Sequence, residues 1–431
     1  MKSALKAKFV LVLFLLICFI PLVSNAQTEK KNRIGIGYWA LDYEKENGFE
    51  VSNTAYLLLD SIVNDCKAKI QMKTNYTHDE AVSVLSTIGT VIESYNIEYD
   101  TLKLFSQALI KRKMDCKFFS ITYLTVGENL SLQLFSMIAP EHVFIYWKDL
   151  KNKIYWETTN MEEYSEQHFI DSFNISKISI NNCAFLNPIN YLKSKFIVFS
   201  YLGVANSNLG NKQGAIADYN NAIEINPKYT EAYFNRGNAK STLGDNQEAI
   251  ADYNKAIEIN PQYAEAYFNR GNLKSTLGDK QEAIADYNKV IEINPKDAKA
   301  YTNRGVTKSD LGDKQGAIAD YNNAIEINPK FAEAYCNRGN AKSALGDKQG
   351  AIADYNKAIE IRPKYAIAYY NRGAIKSDLG DMQGAIADYN KAIEINPMDA
   401  SAYCNRGATK CDLGDMQGAI ADYNKAIEIS P

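Results

Sequence analysis

A thiol, an imidazole and a carboxylate stand in the chain order Cys116, His142 and Glu157. A cysteine in the first turn of a helix faces unpaired backbone N–H groups and the positive end of the helix dipole, which favour the thiolate form. A histidine brought beside it from a strand can accept the thiol proton, and an acid on the neighbouring strand can orient the imidazole. The three residues therefore predict a cysteine nucleophile activated by a histidine base.

Two other interpretations of Cys116 stay open at this point. A single cysteine on an apolar helix is often a small buried hydrophobic residue. After export, Cys116 can also form a disulfide with Cys66 or Cys183, which would remove its nucleophilicity. The remaining histidines, His78 and His168, are predicted to be surface residues.

The elements that must position these residues are predicted to be mixed α and β. The capping box of Thr77 and Glu80 marks the start of one helix, and Cys116 opens another. Runs of apolar and aromatic residues predict three strands, of which the second begins at His142 and the third ends at Glu157. The predicted helices are 54–70, 77–95, 101–113, one from residue 116 and one from Asn160 to residue 173; the predicted strands are 132–138, 142–147 and 153–157.

The predicted hairpin sets a geometric condition on the site. Residues opposite each other on antiparallel strands share a face, so Glu157 can approach His142 only if the turn across 148–152 holds an even number of residues. A four-residue turn places His142 opposite Thr159, with Glu157 diagonal to it. An odd turn would place the two side chains on opposite faces.

The second half of the chain is a repeat with a constant period. Prolines recur every 34 residues from Pro227 to Pro431, seven in all, around phrases such as AEAYFNRGNLKSTLGDKQEAIADYNKVIEINP at 264–295. The phrase predicts a first helix over 264–277, a stop at Gly278 in a positive-φ conformation, and a second helix that ends before Pro295. Capping boxes are expected at Asp279/Glu282 and Asp245/Glu248. We also expect an ion pair between Arg270 and Asp286, because the aliphatic stem of the arginine can cover the core while its charged head group needs a counter-charge.

This pattern of tyrosine, glycine, alanine and proline at fixed offsets resembles tetratricopeptide repeats over 196–431. The resemblance implies an all-α superhelix of seven helical hairpins whose concave face binds a protein or peptide. The residues that the resemblance assigns to that face are Phe234, Asn238, Phe268, Asn272, Asn340 and Tyr370. The alternative is that these positions are solvated and serve no partner.

The wording around the three chemical residues resembles the bacterial transglutaminase-like domains that commonly precede such arrays. A cysteine opens the helix, Pro140-Glu141-His142 starts a strand, and Glu157 stands directly before Thr-Thr. The resemblance implies an α+β domain with Cys116 as nucleophile, His142 as general base and Glu157 as orienting acid. Hydrolysis and acyl transfer are both open, and so is the alternative of a non-catalytic interaction scaffold with a degenerate front domain.

The N-terminus reads as a secretory signal: lysines, an apolar run from Phe9 to Val23, and Ser24-Asn25-Ala26. The expected organisation is a signal peptide at 1–26, an α+β domain at 27–190, a linker at 191–195 and seven repeats at 196–431. The protein is then exported to the periplasm or beyond, with no membrane span after cleavage. A net charge of -3 predicts no nucleic-acid partner, and the scattered cysteines and absence of a phosphate-binding loop predict no metal or cofactor.

Overall fold

The computed structural model describes residues 33–96, 98–99, 104–111, 113–114, 116–139, 142–148, 153–158, 161–172, 189 and 194–430. The chain forms two compact units, 1–262 and 263–431. The predicted signal peptide, Pro140, Glu141, 159–160 and Cys183 lie outside the described residues.

The front part of the first unit is mixed α and β, as predicted. Its helices are α1 (Ile36–Glu46), α2 (Asn53–Lys69), α3 (His78–Ser94), α4 (Phe105–Lys111), α5 (Cys116–Asn129) and α6 (Glu166–Ser172). Its strands are β1 (Glu98–Tyr99), β2 (Lys113–Met114), β3 (Leu134–Ala139), β4 (His142–Lys148), β5 (Lys153–Glu157) and β6 (Glu162–Tyr164). The strands β1 and β2 pair in parallel, and β3 to β6 form an antiparallel sheet in chain order.

One helix of the front region is capped by neighbouring residues in the chain, and another is capped by distant side chains. The predicted capping box of α3 is confirmed, with Thr77 accepting from the Glu80 N–H and Glu80 accepting from the Thr77 N–H. Helix α1 was not predicted, because its first N–H groups donate to side chains of α5. The Ile36 N–H donates to Glu128 Oε2 at 2.9 Å and the Gly37 N–H to Thr125 Oγ1 at 2.8 Å. No short sequence pattern predicts a cap formed by side chains so distant in the chain.

The region after β5 differs from its prediction. A helix was expected to run from Asn160 to residue 173, but residues 162–164 form β6, which pairs with β5 at Trp156 and Glu157. Helix α6 starts later, where the Ser165 hydroxyl accepts from the His168 N–H at 3.1 Å. Strand pairing with β5 therefore outweighed the local helix signal in this segment.

The second half consists of seven helical hairpins, which confirms the predicted number. Each contains one 34-residue repeat, and the glycine that ends the first helix of the third hairpin, Gly278, has φ 97° as expected. The hairpins are α7/α8 (Lys195–Asn208, Lys212–Ile225), α9/α10 (Thr230–Leu243, Asn246–Ile259), α11/α12 (Ala264–Leu277, Lys280–Ile293), α13/α14 (Ala298–Asp310, Lys314–Ile327), α15/α16 (Ala332–Ala344, Lys348–Ile361), α17/α18 (Ala366–Asp378, Met382–Ile395) and α19/α20 (Ala400–Asp412, Met416–Ile429). The first two belong to the unit 1–262 and the other five to the unit 263–431.

The predicted capping boxes at Asp245/Glu248 and Asp279/Glu282 are wrong. Neither aspartate accepts a cap hydrogen bond, and the two glutamates instead bind Lys240 and Lys274. The aspartate caps where the third helical residue is glycine: Asp313 accepts from the Gly316 N–H, and a Cβ on Gly316 would lie only 2.0 Å from Asp313 Oδ2. In the two repeats with a glutamate at that place, the aspartate does not adopt the capping rotamer.

Within each hairpin the two helices meet at a glycine and a tyrosine. A Cβ on Gly305 would lie 2.7 Å from the ring of Tyr321, which is buried. The contact of Gly271 follows the same rule, with 3.0 Å from its Cβ position to the Tyr287 ring. Because the glycine of the first helix has no side chain, the tyrosine of the second helix can fill the space between the two helices.

The predicted ion pair of Arg270 with Asp286 is confirmed, with 2.9 Å from the arginine Nε to Asp286 Oδ2. A lysine one turn later adds a second cation to the same buried carboxylate, as Lys342 does to Asp354 at 2.9 Å. The other arginine–aspartate pairs are Arg236–Asp252, Arg304–Asp320, Arg338–Asp354, Arg372–Asp388 and Arg406–Asp422. Hairpins two to seven are thus each held by a carboxylate between two cations.

Within the part of the chain that the structure describes, no helix combines the length and the apolar character that crossing a membrane requires.

Candidate functional site

The structure brings His142 and Glu157 into contact. His142 Nε2 and Glu157 Oε2 are hydrogen-bonded, with the histidine half-buried and the glutamate buried. The contact follows from the register of the hairpin: Lys148 pairs with Lys153, so four residues form the turn, and Glu157 lies diagonal to His142. The even turn on which the predicted site depends is therefore present.

The third predicted residue, Cys116, is the first residue of α5, as the sequence predicted. One turn later the Ser120 hydroxyl donates to the Val143 carbonyl oxygen at 3.2 Å, which holds the start of this helix against β4 beside His142. The side chain of Cys116 lies outside the described residues. A thiol–imidazole contact within about 4 Å therefore stays a prediction.

Of the two cysteines considered as disulfide partners of Cys116, Cys66 is a free thiol and Cys183 lies outside the described residues. Cys66 is fully buried in α2, and its burial, with the nearby Asp65, raises the pKa of the thiol to about 12. A thiol of that kind is not a reactive nucleophile at neutral pH. His78 and His168 are exposed, as predicted.

A hydrogen-bonded layer lies beside the two site residues. Trp156, next to Glu157 on β5, donates from its indole N–H to the Tyr123 hydroxyl at 3.1 Å. The Tyr123 hydroxyl in turn donates to the Leu85 carbonyl at 3.3 Å, which ties β5 to α5 and α3. Such a shell limits the rotamers of the residues in front of it.

The start of α5 also touches the second hairpin. Lys117 Nζ lies 3.4 Å from Glu231 Oε2, and the Tyr229 hydroxyl donates to the same carboxylate oxygen at 2.6 Å. Glu231 occupies the second position of its hairpin. The helix that begins at Cys116 is therefore anchored on one side by the sheet and on the other by a repeat.

The six predicted partner-binding residues are half-buried except Asn340, which is exposed, and most have structural contacts of their own. The asparagines accept from tyrosine hydroxyls of the second helix, as Asn340 Oδ1 does from Tyr355 at 2.8 Å. The same bond joins Asn238 to Tyr253 and Asn272 to Tyr287. Phe234, Phe268 and Tyr370 each place a ring 6.0 Å from the ring of such a tyrosine. These residues shape the hairpins; binding of a partner by them stays a prediction.

Sequence reasoning missed a second row of asparagines, one turn N-terminal to the first row. In the unit 263–431, Asn303 Nδ2 donates to Asn272 Oδ1 of the preceding hairpin at 2.8 Å, and Asn371 Nδ2 donates to Asn340 Oδ1 at 2.9 Å. Asn405 Nδ2 donates to the Tyr370 hydroxyl at 2.9 Å. The signal was present, since asparagine precedes the core arginine in hairpins two to seven. We call Asn303, Asn337, Asn371 and Asn405 the asparagine row.

Among the described residues, no group of three or more histidines, cysteines or acidic residues is arranged to hold a metal ion. The groups that the described part of the site offers are the hydrogen-bonded imidazole of His142 and carboxylate of Glu157.

Comparison with known families identifies the repeats. Models described as TPR repeat and tetratricopeptide repeat match consecutive, partly overlapping windows from residue 208 to residue 431. The windows are 208–244, 241–278, 264–297, 286–319, 309–346, 332–365, 366–399 and 400–431.

Individual proteins resemble shorter parts of the chain. Human tetratricopeptide repeat protein 6 is 43% identical over 61 residues, which are 14% of this chain and 12% of that protein. A tetratricopeptide repeat protein from Parabacteroides merdae is 23% identical, with 55% of this chain and 94% of that one covered at a TM-score of 0.47. YrrB, described as a TPR protein with an unusual peptide-binding site, is 26% identical, with 43% and 95% covered at a TM-score of 0.37.

Proposed function

Residues 208–431, just over half of the chain, belong to the tetratricopeptide repeat family, and we propose that they make the protein a scaffold for a partner protein. The expected ligand is an extended segment of that partner. Stacked hairpins offer a long surface of this kind, and the residues on it change from repeat to repeat while the core stays constant.

The asparagine row supports this proposal. Its members are half-buried and recur once per hairpin, and in Asn303, Asn371 and Asn405 the amide N–H side is engaged in the array. A side-chain amide whose donor is held in this way has its carbonyl oxygen oriented, and that oxygen can accept from the backbone N–H of an extended peptide. Recognition of the peptide backbone suits a scaffold that accepts varied sequences.

The row can be tested at Asn337, because the preceding hairpin has Val306 where Asn303 and Asn371 meet the acceptors Asn272 and Asn340, so the substitution breaks none of the bonds described above. We expect that Asn337→Ala weakens binding of a 12-residue peptide, selected from a random display library on the intact protein, by about tenfold, the effect of one lost hydrogen bond. Isothermal titration calorimetry measures the change.

The matched control is Lys357→Ala in the same hairpin, which removes an exposed residue of the second helix. Its affinity for the selected peptide should equal that of the unaltered protein. Selected peptides that bind Asn337→Ala as tightly as the parent would contradict the role of the row.

A second function is favoured by the contact of His142 with Glu157. We propose that the front region is a transglutaminase-like cysteine enzyme that acts on an amide of the bound partner, in a protein exported to the periplasm or beyond. The Cys116 thiolate would attack the amide carbonyl carbon, the amine would leave with the proton that His142 took from the thiol, and a thioester would remain on Cys116. Water or a second amine would then release the acyl group, and Glu157 would hold the imidazole throughout.

This second function predicts a dependence of the Cys116 thiol on His142. In His142→Ala, alkylation of Cys116 by iodoacetamide at pH 7 should slow by about tenfold, because the thiolate loses the imidazolium that stabilises it. The curve of labelling rate against pH should move to higher pH. Mass spectrometry of the Cys116 peptide measures both.

The control variant is His168→Ala, which alters an exposed histidine on α6 and should leave the Cys116 rate unchanged. Within the same chain the exposed Cys404 gives the rate of an ordinary thiol. If Cys116 reacts no faster than Cys404, and equally in both variants, the non-catalytic scaffold is the correct interpretation.

A further inference from the structure

The first hairpin lacks the two cations that the other six use. The residues 34 positions before Arg236 and Lys240 are Leu202 and Asn206. The aspartate of the pattern is nevertheless present, as Asp218, and it is buried with 4% of its surface exposed. No lysine or arginine in the described part of the chain forms an ion pair with it.

The partners of Asp218 come from its own hairpin and from the front region. Asn206 Nδ2 donates to Asp218 Oδ2 at 2.7 Å, and the Tyr43 hydroxyl of α1 lies 3.5 Å from Asp218 Oδ1. Both partners are neutral. A carboxylate buried among neutral groups is costly in its charged form, whereas a protonated carboxyl can keep such contacts at less cost.

The next residue of α1 places a second carboxyl in the same junction. Glu44 is fully buried and accepts from the Phe105 N–H at 2.7 Å, the Ser106 N–H at 3.1 Å and the Tyr201 hydroxyl at 2.7 Å. Tyr201 lies on α7. Two consecutive residues of one helix, Tyr43 and Glu44, therefore tie α1 to the two helices of the first hairpin.

Aromatic packing completes the junction. Phe199 of α7 lies against Trp39 and Tyr43, with ring centroids 5.4 and 4.9 Å apart. Lys195 Nζ sits 4.4 Å from the centre of the Trp39 ring on the side of α7. Trp39 is therefore a native reporter of whether α1 is docked.

We propose that the contact of α1 with the first hairpin is a proton-controlled latch, firm when the Asp218 carboxyl is protonated and weakened when it ionises. The latch would couple the front region to the array in acid and loosen it toward neutral pH. It does not depend on either function proposed above.

The direction of titration agrees with the geometry. Burial raises the pKa of Asp218 to about 6, while its bonds to Asn206 and Tyr43 lower it less. At the equivalent position of the last hairpin burial also raises the pKa of Asp422, but Arg406 and Lys410 outweigh it and the net pKa is lowered. The presence of the two cations thus decides whether the pKa of the buried aspartate is lowered or raised.

Several other titratable groups lie near Asp218. Burial raises the pKa of Glu44, opposed by its bonds to Ser106, Tyr201 and Phe105. The tyrosines that feel the Asp218 charge are Tyr43, Tyr201 and Tyr219, each with a raised pKa that keeps it neutral in this range. Of the nearby cations, Lys195 lies over Trp39 and Lys117 pairs with Glu231.

The direction in which pH changes the docking equilibrium follows from the linkage of docking to protonation of Asp218. A carboxyl whose pKa is higher in the docked than in the open state binds more protons when docked, so docking weakens as pH rises between the two values. With an ordinary value of 3.8 in the open state and about 6 when docked, the equilibrium for docking falls about tenfold between pH 5 and pH 8.

Hydrogen exchange on the full chain tests this, with rates corrected for the intrinsic effect of pH. Protection of the amides of α1 and α7 should fall about tenfold more from pH 5 to pH 8 in the unaltered protein than in Asp218→Asn, whose amide cannot ionise. The resonance of a 5-fluorotryptophan at Trp39, read by ¹⁹F NMR, should follow the same transition. The control Asp252→Asn, at the cation-paired position of the second hairpin, should keep the pH dependence of the parent.

Equal pH dependence in the unaltered protein and in Asp218→Asn would overturn the latch. If Asp218→Asn fails to fold, the carboxyl ¹³C shift of Asp218 in the unaltered protein replaces it. A titration midpoint near 6 supports the proposal, and a midpoint near 4 overturns it.

Discussion

Replacing Glu44 by alanine is expected to lower the free energy of unfolding of the unit 1–262 by about 3 kcal/mol. Three donors lose their common acceptor at once: the Phe105 and Ser106 N–H groups and the Tyr201 hydroxyl. Each is buried, and water cannot replace the carboxylate without opening the junction. Part of the loss is offset because the variant no longer buries a carboxylate charge at this position, a burial whose cost is reflected in the raised pKa of Glu44.

Urea unfolding monitored by tryptophan fluorescence measures this change. Tyr201→Phe removes one of the three bonds and should cost about 1 kcal/mol. Glu46→Ala, two residues later on the exposed side of α1, should change the free energy by less than about 0.5 kcal/mol. If Glu44→Ala is as mild as Glu46→Ala, the carboxylate is not what joins the front region to the first hairpin.

Replacing Asp354 by alanine is expected to cost about 2–4 kcal/mol in the unit 263–431. The substitution leaves Arg338 and Lys342 in half-buried positions without their counter-charge. Arg338 also donates from Nη1 to Asn322 of the preceding hairpin at 2.6 Å, so its displacement reaches the neighbouring repeat. We therefore expect unfolding to lose cooperativity around this hairpin, since each repeat depends on its neighbours.

The control for this experiment lies in the same helix. Glu360 pairs with Lys357 on the exposed side of α16, and Glu360→Ala should cost no more than about 0.5 kcal/mol because water screens the pair. Denaturant titrations followed by circular dichroism compare the two variants. Equal midpoints would mean that the buried network contributes no more than a surface ion pair.

Most features of the repeat array could be predicted from the sequence. The period of 34 residues, the number of hairpins, the positive-φ glycine at Gly278 and the pair of Arg270 with Asp286 all follow from local pattern and spacing. The capping boxes were misjudged because Glu248 and Glu282 bind Lys240 and Lys274 of the first helix, and Asp245 and Asp279 make no cap hydrogen bond. The contact with the lysine forms between the two helices of the hairpin, and the motif of the second helix alone does not reveal it.

In the front region, fewer features could be predicted from the sequence. The strands β4 and β5 were predictable, but the sequence set the even turn between them only as a condition, and the structure decided that His142 meets Glu157. The strand at 162–164 was not, because Asn160 resembles a helix cap in the sequence and only pairing with β5 makes the segment extended. Helix α1 was missed for the same reason, since distant side chains of α5 cap it.

The sequence by itself determined what depends on residues close in the chain or within one repeat: most of the helices, the strands β4 and β5, the glycine stop of the repeat and the arginine–aspartate pair of hairpins two to seven. Only the tertiary structure decided which residues meet from unrelated segments. It placed Tyr43 and Glu44 on the first hairpin and Lys117 beside Glu231. It also made Asp218 a buried carboxyl with neutral partners, although its repeat has the same aspartate as the others. The physical reason is that burial and charge pairing depend on the whole environment of a side chain, and a local pattern specifies only the part of that environment within its own hairpin.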